Sequence, residues 1–279
     1  MSNTSRQDNT IEQFCRLLSQ IEQQSVFVLE RPDRAKPGTG GCDAIIQRGE
    51  VRSALEHTTI DSYTAQRADD ARFRQFIRLP LEEAVRSEFT DSWVEIIVPA
   101  NALPTGTDWA VIQTALLHGC LTSIRGMPFS DDYLPFRFSG VPFCVRVMRS
   151  EDGSSPGCAV LREAPANVQI ELTTDMQRAL QDKSVQLGRY KAQGFPTILL
   201  LDCNDTALVN RYSVADAFSS AAHLEKNAIL DLDEVFIAGA SHNPIWFFPV
   251  KLHERIYPAL PEFEQYRKTQ YRLTYQSQS

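Results

Sequence analysis

Two acidic residues that flank a predicted β-hairpin are well placed to do chemistry together. Residues 44–46 and 51–58 are strand-like, and Gly49-Glu50 between them can form a two-residue type II′ turn. In that register Arg48 pairs with Val51, and counting outward from this pair places Asp43 directly opposite Glu56. Directly opposed residues point to the same face of a sheet, with Cβ atoms about 5 Å apart.

Two carboxylates held this close repel each other, and a sequence shaped only by stability has little reason to place them there. A divalent cation between them would reverse the sign of the interaction. Mg²⁺ and Mn²⁺ prefer hard oxygen ligands, and Mg²⁺ commonly combines one or two carboxylates with waters and phosphate oxygens. The pair therefore predicts a metal site for a phosphate-containing substrate. The alternative is a surface hairpin with two unrelated acids.

A lysine interrupts the apolar stripe of a long predicted helix that begins at Gln169 or Thr173 and ends at Gly194. The residues of this stripe are spaced three or four apart: Met176, Leu180, Lys183, Leu187 and Tyr190. An ammonium group on an apolar stripe is costly unless it is paired or reaches water. Lys183 is satisfied if it points to the acidic pair, where it can orient water or stabilise a transition state. Otherwise it extends past the helix edge or pairs with a structural glutamate.

Composition is that of a soluble globular protein. The 279 residues are 43% hydrophobic and 23% charged, and the net charge of −7 argues against a broad, non-specific nucleic-acid binder. None of the six cysteines forms a CxxC pair, which predicts buried free thiols in a reducing cytoplasm. No segment reaches the roughly 18 consecutive apolar residues of a membrane span, so no membrane partner is expected. The polar termini, including residues 1–10, are predicted to be frayed.

The predicted elements alternate between helices and strands. Helices are expected at residues 11–23, 65–88 (interrupted near Pro80), 107–124, 173–194 and 214–227, and strands at 25–29, 93–99, 197–202, 234–238 and 245–250. Two further strands, at residues 143–149 and 159–162, are predicted to form a second hairpin around the polar turn at 150–157.

The order of helix, strand, acidic hairpin, long helix and buried strand resembles the αβββαβ core of the PD-(D/E)XK, or restriction-endonuclease-like, nuclease superfamily. Asp43 matches the aspartate of its motif, and Glu56 matches the glutamate of its ExK tripeptide. The resemblance implies an α/β fold with a mixed central β-sheet flanked by helices. Residues 1–279 would form a single nuclease-like domain, with 61–167 a large insertion between the third core strand and the second core helix, and with a C-terminal extension.

The chain departs from the family pattern at the motif lysine. The tripeptide here is Glu56-His57-Thr58, and a threonine cannot supply the cationic role. In some members the lysine migrates to the second core helix, and Lys183 is placed to be such a migrant. An acidic residue on the first helix often completes the metal sphere, and Glu22 and Glu12 are the candidates here.

The resemblance implies Mg²⁺- or Mn²⁺-dependent hydrolysis of phosphodiester bonds in nucleic acid, with DNA as the leading substrate. Asp43, Glu56 and Lys183 would be catalytic, and Asp43, Glu56 and Glu22 would bind the metal. It further implies a cytoplasmic bacterial protein of a defence or repair complex, or a homodimer. Two alternatives remain: an inactive nuclease-like module that binds nucleic acid or a protein, and a scaffold protein that uses residues 61–167 as its interface.

Overall fold

The chain folds into two compact units, one built from Met1–Ser62 with Asn167–Ser279 and the other from Tyr63–Ala166. The computed structural model describes residues 3–35, 38, 40–102, 106–151, 156–203, 211–239 and 245–256. Both units are α/β, with mixed sheets flanked by helices. The second unit nearly coincides with the predicted insertion at 61–167.

The elements are numbered along the chain. The helices are α1 (Asn3–Glu22), α2 (Pro32–Ala35), α3 (Gln66–Arg72), α4 (Leu79–Glu88), α5 (Trp109–Gly126), α6 (Val168–Lys191), α7 (Arg211–Leu224) and α8 (Lys226–Leu230), and a π-helical segment, Phe73–Arg78, joins α3 to α4. The strands are β1 (Val26–Glu30), β2 (Ala44–Arg48), β3 (Val51–Ile60), β4 (Trp93–Pro99), β5 (Ser130–Arg137), β6 (Cys144–Ser150), β7 (Gly157–Glu163), β8 (Thr197–Cys203), β9 (Glu234–Gly239), β10 (Trp246–Leu252) and β11 (Arg255–Ile256).

The first unit is organised around a seven-stranded sheet in the order β1-β2-β3-β8-β9-β10-β11. Strands β3, β8 and β9 are parallel, and the remaining pairs are antiparallel. Every residue of β8 is buried, as expected for an apolar run covered on both faces. Helices α6 and α7 pack on one face of the sheet, and α1 packs on the other.

Two helix starts differ from the sequence-based expectation. Helix α1 begins at Asn3, so residues 3–10 are not frayed, and Thr10 is fully buried. Helix α6 begins at Val168, ahead of the predicted cap at Thr173. In both cases tertiary packing extends the helix beyond the start that the local sequence pattern predicts.

The second unit has a four-stranded sheet in the order β5-β6-β4-β7. The predicted hairpin between β6 and β7 is wrong, because β4 lies between them, antiparallel to β6 and parallel to β7. Strand β5, which the sequence analysis did not predict, covers the other edge of β6. Helix α5 begins after Asp108, whose side chain accepts hydrogen bonds from the backbone amides of Ala110 and Val111, as the predicted cap requires.

No helix among the described residues has the length and apolar character needed to cross a membrane. All six cysteines are free thiols, and five of them are buried. The interruption expected near Pro80 takes the form of the π-helical segment, and Pro80 itself lies in the first turn of α4, where proline is tolerated.

Candidate active site

The register of the β2–β3 hairpin brings Asp43 and Glu56 together. Arg48 pairs with Val51, and the pairing runs outward to Ala44 opposite Leu55, so that the next opposed residues are Asp43 and Glu56. Gly49 has a φ of 59°, as the first central residue of a type II′ turn requires. The predicted hairpin and its register are confirmed, and the two carboxylates share the face of the sheet that α6 covers.

Glu56 is fully buried, and only one of its oxygens has a hydrogen-bond donor. Its Oε2 accepts a hydrogen bond from the Lys183 ammonium at 2.7 Å, while its Oε1 has no hydrogen-bond partner among the described residues. Burial, followed by the negative charge of Asp43, raises the pKa of Glu56 to about 8, although Lys183 acts in the opposite direction. Without a further cation, Glu56 therefore holds its proton near neutral pH.

Asp43 is held by the backbone of its cross-strand neighbours. Its Oδ2 accepts a hydrogen bond of 2.7 Å from the amide of His57, which fixes the carboxylate beside Glu56. Its own carbonyl oxygen lies 3.4 Å from Nη1 of Arg31. Asp43 contributes to the raised pKa of Glu56, because a nearby carboxylate disfavours a second negative charge.

Lys183 reaches this pair from α6. Met176, Leu180 and Leu187 of the same helical stripe are buried in the core, and Lys183 points along that stripe to Glu56. Its side chain is 24% exposed, so the ammonium lies between the buried pair and solvent. Burial lowers the pKa of Lys183, but the carboxylates of Glu56 and Asp43 outweigh this effect and raise it above its usual value. The ammonium is therefore charged at neutral pH.

Glu22 is not brought to the acidic pair, which corrects its assignment as a third ligand. It forms an ion pair with Arg48, at the turn end of the hairpin, whereas Asp43 precedes the opposite end of β2. Four residue steps along a strand separate these ends by about 13 Å. Since α1 places its C-terminal end beside the turn, an acid at the end of this helix cannot reach the site.

The donor set fits a hard divalent cation that draws only two ligands from the protein. Two carboxylates converge, and one buried oxygen of Glu56 has no donor in the described part of the chain. Among these residues no group of three or more histidine, cysteine, aspartate or glutamate side chains could hold a metal ion. Waters and substrate oxygens would therefore complete the coordination of Mg²⁺ or Mn²⁺, as is common for Mg²⁺ sites.

A second polar network, on the opposite face of the sheet, was not found from the sequence. Asp202, at the end of β8, is fully buried, and its Oδ2 lies 3.3 Å from Nε of Arg6 and 3.4 Å from Nε2 of His57. His57 thus donates its amide to Asp43 on one side and contacts Asp202 on the other. Strand alternation places His57 on the face opposite Glu56, but nothing in the sequence links it to Arg6.

Comparison of the chain with protein-family models, with curated proteins and with solved structures found no match. The contacts of Asp43, Glu56 and Lys183 are therefore the basis for assigning a function.

Proposed function

We propose that this protein is a metal-dependent nuclease that hydrolyses phosphodiester bonds, with DNA as its leading substrate. The observation that supports this most is the contact between the Lys183 ammonium and Glu56 at 2.7 Å, beside the opposed carboxylate of Asp43. Two acids that can hold a divalent cation, and an ammonium beside them that can stabilise transition-state charge, are groups that metal-assisted phosphodiester hydrolysis can use.

The order of elements in the first unit supports the resemblance to the PD-(D/E)XK superfamily. Helix α1 is followed by β1, β2 and β3, and after the second unit the chain continues with α6 and β8. Strand β8 pairs in parallel with β3, and α6 packs on the face that Glu56 shares. This order corresponds to the αβββαβ core, with Asp43 directly before the second strand and Glu56 on the third.

Asp43 and Glu56 would hold the cation between them. When bound, Mg²⁺ or Mn²⁺ would supply a Lewis acid and would lower the pKa of a coordinated water. The hydrogen bond from the His57 amide keeps Asp43 in place while this occurs. Because the pKa of Glu56 is raised to about 8, cation binding at neutral pH would release the proton of Glu56.

Lys183 would serve the chemical step. Its ammonium keeps one oxygen of Glu56 in position and remains charged at neutral pH. A fixed cation next to the attacked phosphorus would orient the attacking water and stabilise the extra negative charge of the transition state. Water would add to phosphorus as the P–O bond to the leaving sugar oxygen breaks, and that oxygen would take up a proton. Lys183 would thus take the role that Thr58 cannot fill.

An inactive nuclease-like module is the second candidate. It is favoured by Thr58 at the position of the motif lysine, by the net charge of −7, and by the lack of a three-ligand group in the described residues. Such a module would bind nucleic acid or a protein partner without cutting. The burial of Glu56 beside Asp43 argues against it, because a buried carboxyl group whose Oε1 has no partner among the described residues costs stability unless a cation binds there.

The proposal is tested by incubating the purified chain with labelled duplex DNA, single-stranded DNA and RNA in Mg²⁺, in Mn²⁺ and in EDTA. Cleavage that requires a divalent cation is the expected result, with DNA cut faster than RNA. Binding without cleavage on all three substrates would favour the inactive module instead.

A further inference from the structure

Two arginines beside Asp43 converge on a single carboxylate oxygen. Nη2 of Arg31 lies 3.1 Å from Oδ1 of Asp8, and Nη2 of Arg34 lies 2.6 Å from the same atom. Arg31 also reaches the carbonyl oxygen of Asp43 with Nη1, at 3.4 Å. The cluster of Asp8, Arg31 and Arg34 is thus joined directly to one of the two proposed metal ligands.

The guanidinium groups and the exposure of this cluster suit an anionic ligand. Both guanidinium groups contact the Asp8 carboxylate, and the carboxylates of Asp33 and Asp43 lie within electrostatic range of Arg34. The side chains of Arg34 and Asp8 are 41% and 27% exposed, so a ligand can approach them from solvent. The hydrogen bond to Asp8, followed by the charges of Asp8, Asp33 and Asp43, raises the pKa of Arg34 although burial acts in the opposite direction.

Fold stability explains this arrangement poorly. The Arg34–Asp8 pair is partly exposed, and such pairs contribute about 0–1 kcal/mol, because solvent screens them and because holding two side chains in one geometry costs entropy. The Arg31 side chain is 17% exposed and is less screened. Guanidinium groups match the oxygens of carboxylate and phosphate equally well. A carboxylate held by two arginines next to a phosphodiester-cleaving site therefore occupies the position that suits a substrate phosphate.

We propose that Arg31 and Arg34 bind a backbone phosphate of the substrate strand next to the one that is cut, and that Asp8 is their counter-ion until substrate displaces it. This inference rests on the proposed nuclease function and specifies how the site holds its substrate. Asp8 then competes with the substrate, so its removal strengthens binding, whereas removal of Arg34 weakens binding.

The test is fluorescence anisotropy of labelled duplex DNA in EDTA, which prevents metal-dependent cleavage, over a series of NaCl concentrations. Arg34→Gln is expected to weaken binding several-fold and to reduce the salt slope by about one, as loss of one phosphate contact does. Asp8→Asn is expected to tighten binding, and a gain in affinity cannot result from misfolding.

Matched variants separate the cluster from general charge effects. Arg52→Gln makes the same change of charge at an exposed position next to the hairpin turn, and Glu50→Gln removes the same charge as Asp8→Asn at the exposed turn itself. Both controls should change the affinity much less than the cluster variants. Equal losses for Arg34→Gln and Arg52→Gln, no gain for Asp8→Asn beyond that of Glu50→Gln, or no binding of DNA by the unaltered chain would overturn the inference.

Cleavage assays on the same proteins keep the two proposals distinguishable. Binding that depends on Arg34, without cleavage in Mg²⁺ or Mn²⁺, would refute the hydrolytic function and leave the phosphate site standing. Metal-dependent cleavage with binding that does not depend on Arg34 would refute only the phosphate site.

Discussion

The Nζ of Lys183, on helix α6, lies 2.7 Å from Oε2 of Glu56, on strand β3, although 127 positions separate the two residues in the chain. The contact joins a lysine that interrupts an apolar helical stripe to a glutamate that is fully buried. Burying either charged group without the other would cost folding free energy. With Asp43 beside them, Oε1 of Glu56 has no partner among the described residues, so a further cation could bind there. The proposed chemistry depends on this contact.

Replacing Lys183 by methionine should remove cleavage while leaving the fold in place. We expect kcat to fall by about 10²–10³, the usual effect of removing one group that stabilises transition-state charge. Lys191→Met is the matched control, because Lys191 lies on the same helix and pairs with Asp233, away from the site. Single-turnover cleavage rates at saturating DNA measure the effect of each substitution on the chemical step. A Lys183→Met enzyme as fast as the unaltered chain would show that this lysine has no part in the reaction.

Metal binding should depend on Asp43 and not on Glu22. Asp43→Asn retains an oxygen that can accept the His57 amide hydrogen bond but loses the charge that attracts a cation, so Mn²⁺ affinity should fall at least tenfold, as expected for loss of a ligand. Glu22→Gln should leave the affinity unchanged, because Glu22 pairs with Arg48 at the far end of β2. Mn²⁺ titrations followed by electron paramagnetic resonance distinguish these cases. Equal losses for both variants would place the metal elsewhere.

Stability should depend on pH through Glu56. The pKa of Glu56 is near 4.5 when unperturbed and about 8 in the folded chain, so folding takes up a proton between these values. The free energy of unfolding of the metal-free protein should therefore decrease as the pH rises through this window, by at most about 1.4 kcal/mol per pH unit from this group. Added Mg²⁺ should reduce the decrease, because the cation favours the ionised form.

Urea unfolding at pH 5, 6, 7 and 8 (values that span the window), on the unaltered chain and on Glu56→Gln, isolates this effect. Groups that do not interact with Glu56 titrate alike in the two proteins, so the difference between their curves reports Glu56 and its coupling to Asp43 and Lys183. If the free energy of unfolding changes with pH in the same way for both proteins, Glu56 is ionised throughout this range.

The stability of the second unit should depend on the buried ion pair between Arg162 and Asp69. Nη1 of Arg162 lies 3.0 Å from Oδ2 of Asp69 and 2.7 Å from the Tyr63 hydroxyl, and both charged side chains are less than a tenth exposed. Arg162→Met should cost about 3–5 kcal/mol, since it leaves Asp69 buried without its cation.

Arg125→Met is the control for this loss, because Arg125 forms an exposed pair with Glu88 whose removal should cost about 1 kcal/mol or less. Tryptophan fluorescence follows the loss mainly in the second unit, which contains Trp93 and Trp109, whereas Trp246 lies in the first unit. Equal losses in the free energy of unfolding for Arg162→Met and Arg125→Met would show that the buried pair contributes no more to stability than the exposed pair.

The hairpin and Lys183 could be predicted because their signals are local. Gly49-Glu50 fixes the turn, the turn fixes the register, and the register alone places Asp43 opposite Glu56. The stripe of α6 likewise follows from a spacing of three and four. Contacts that depend on one short range of residues are readable from the sequence.

Other contacts between distant segments could not be predicted in this way. Strand β4 separates β6 from β7, because a strand earlier in the chain competes successfully with a local hairpin. The position of Glu22 depends on the direction in which α1 crosses the sheet, and the link between Arg6 and Asp202 spans 196 positions. Neither the position of Glu22 nor the contact between Arg6 and Asp202 leaves a local pattern in the sequence.

The most direct test of the central claim is metal-dependent DNA cleavage by the unaltered chain beside Glu56→Gln. The substitution keeps the shape of a fully buried side chain and removes the charge that would hold the cation. We predict cleavage in Mg²⁺ or Mn²⁺ by the unaltered chain only, with both proteins folded by circular dichroism. Equal cleavage by the two proteins, or none by either on any nucleic acid, would contradict an active site at Asp43, Glu56 and Lys183.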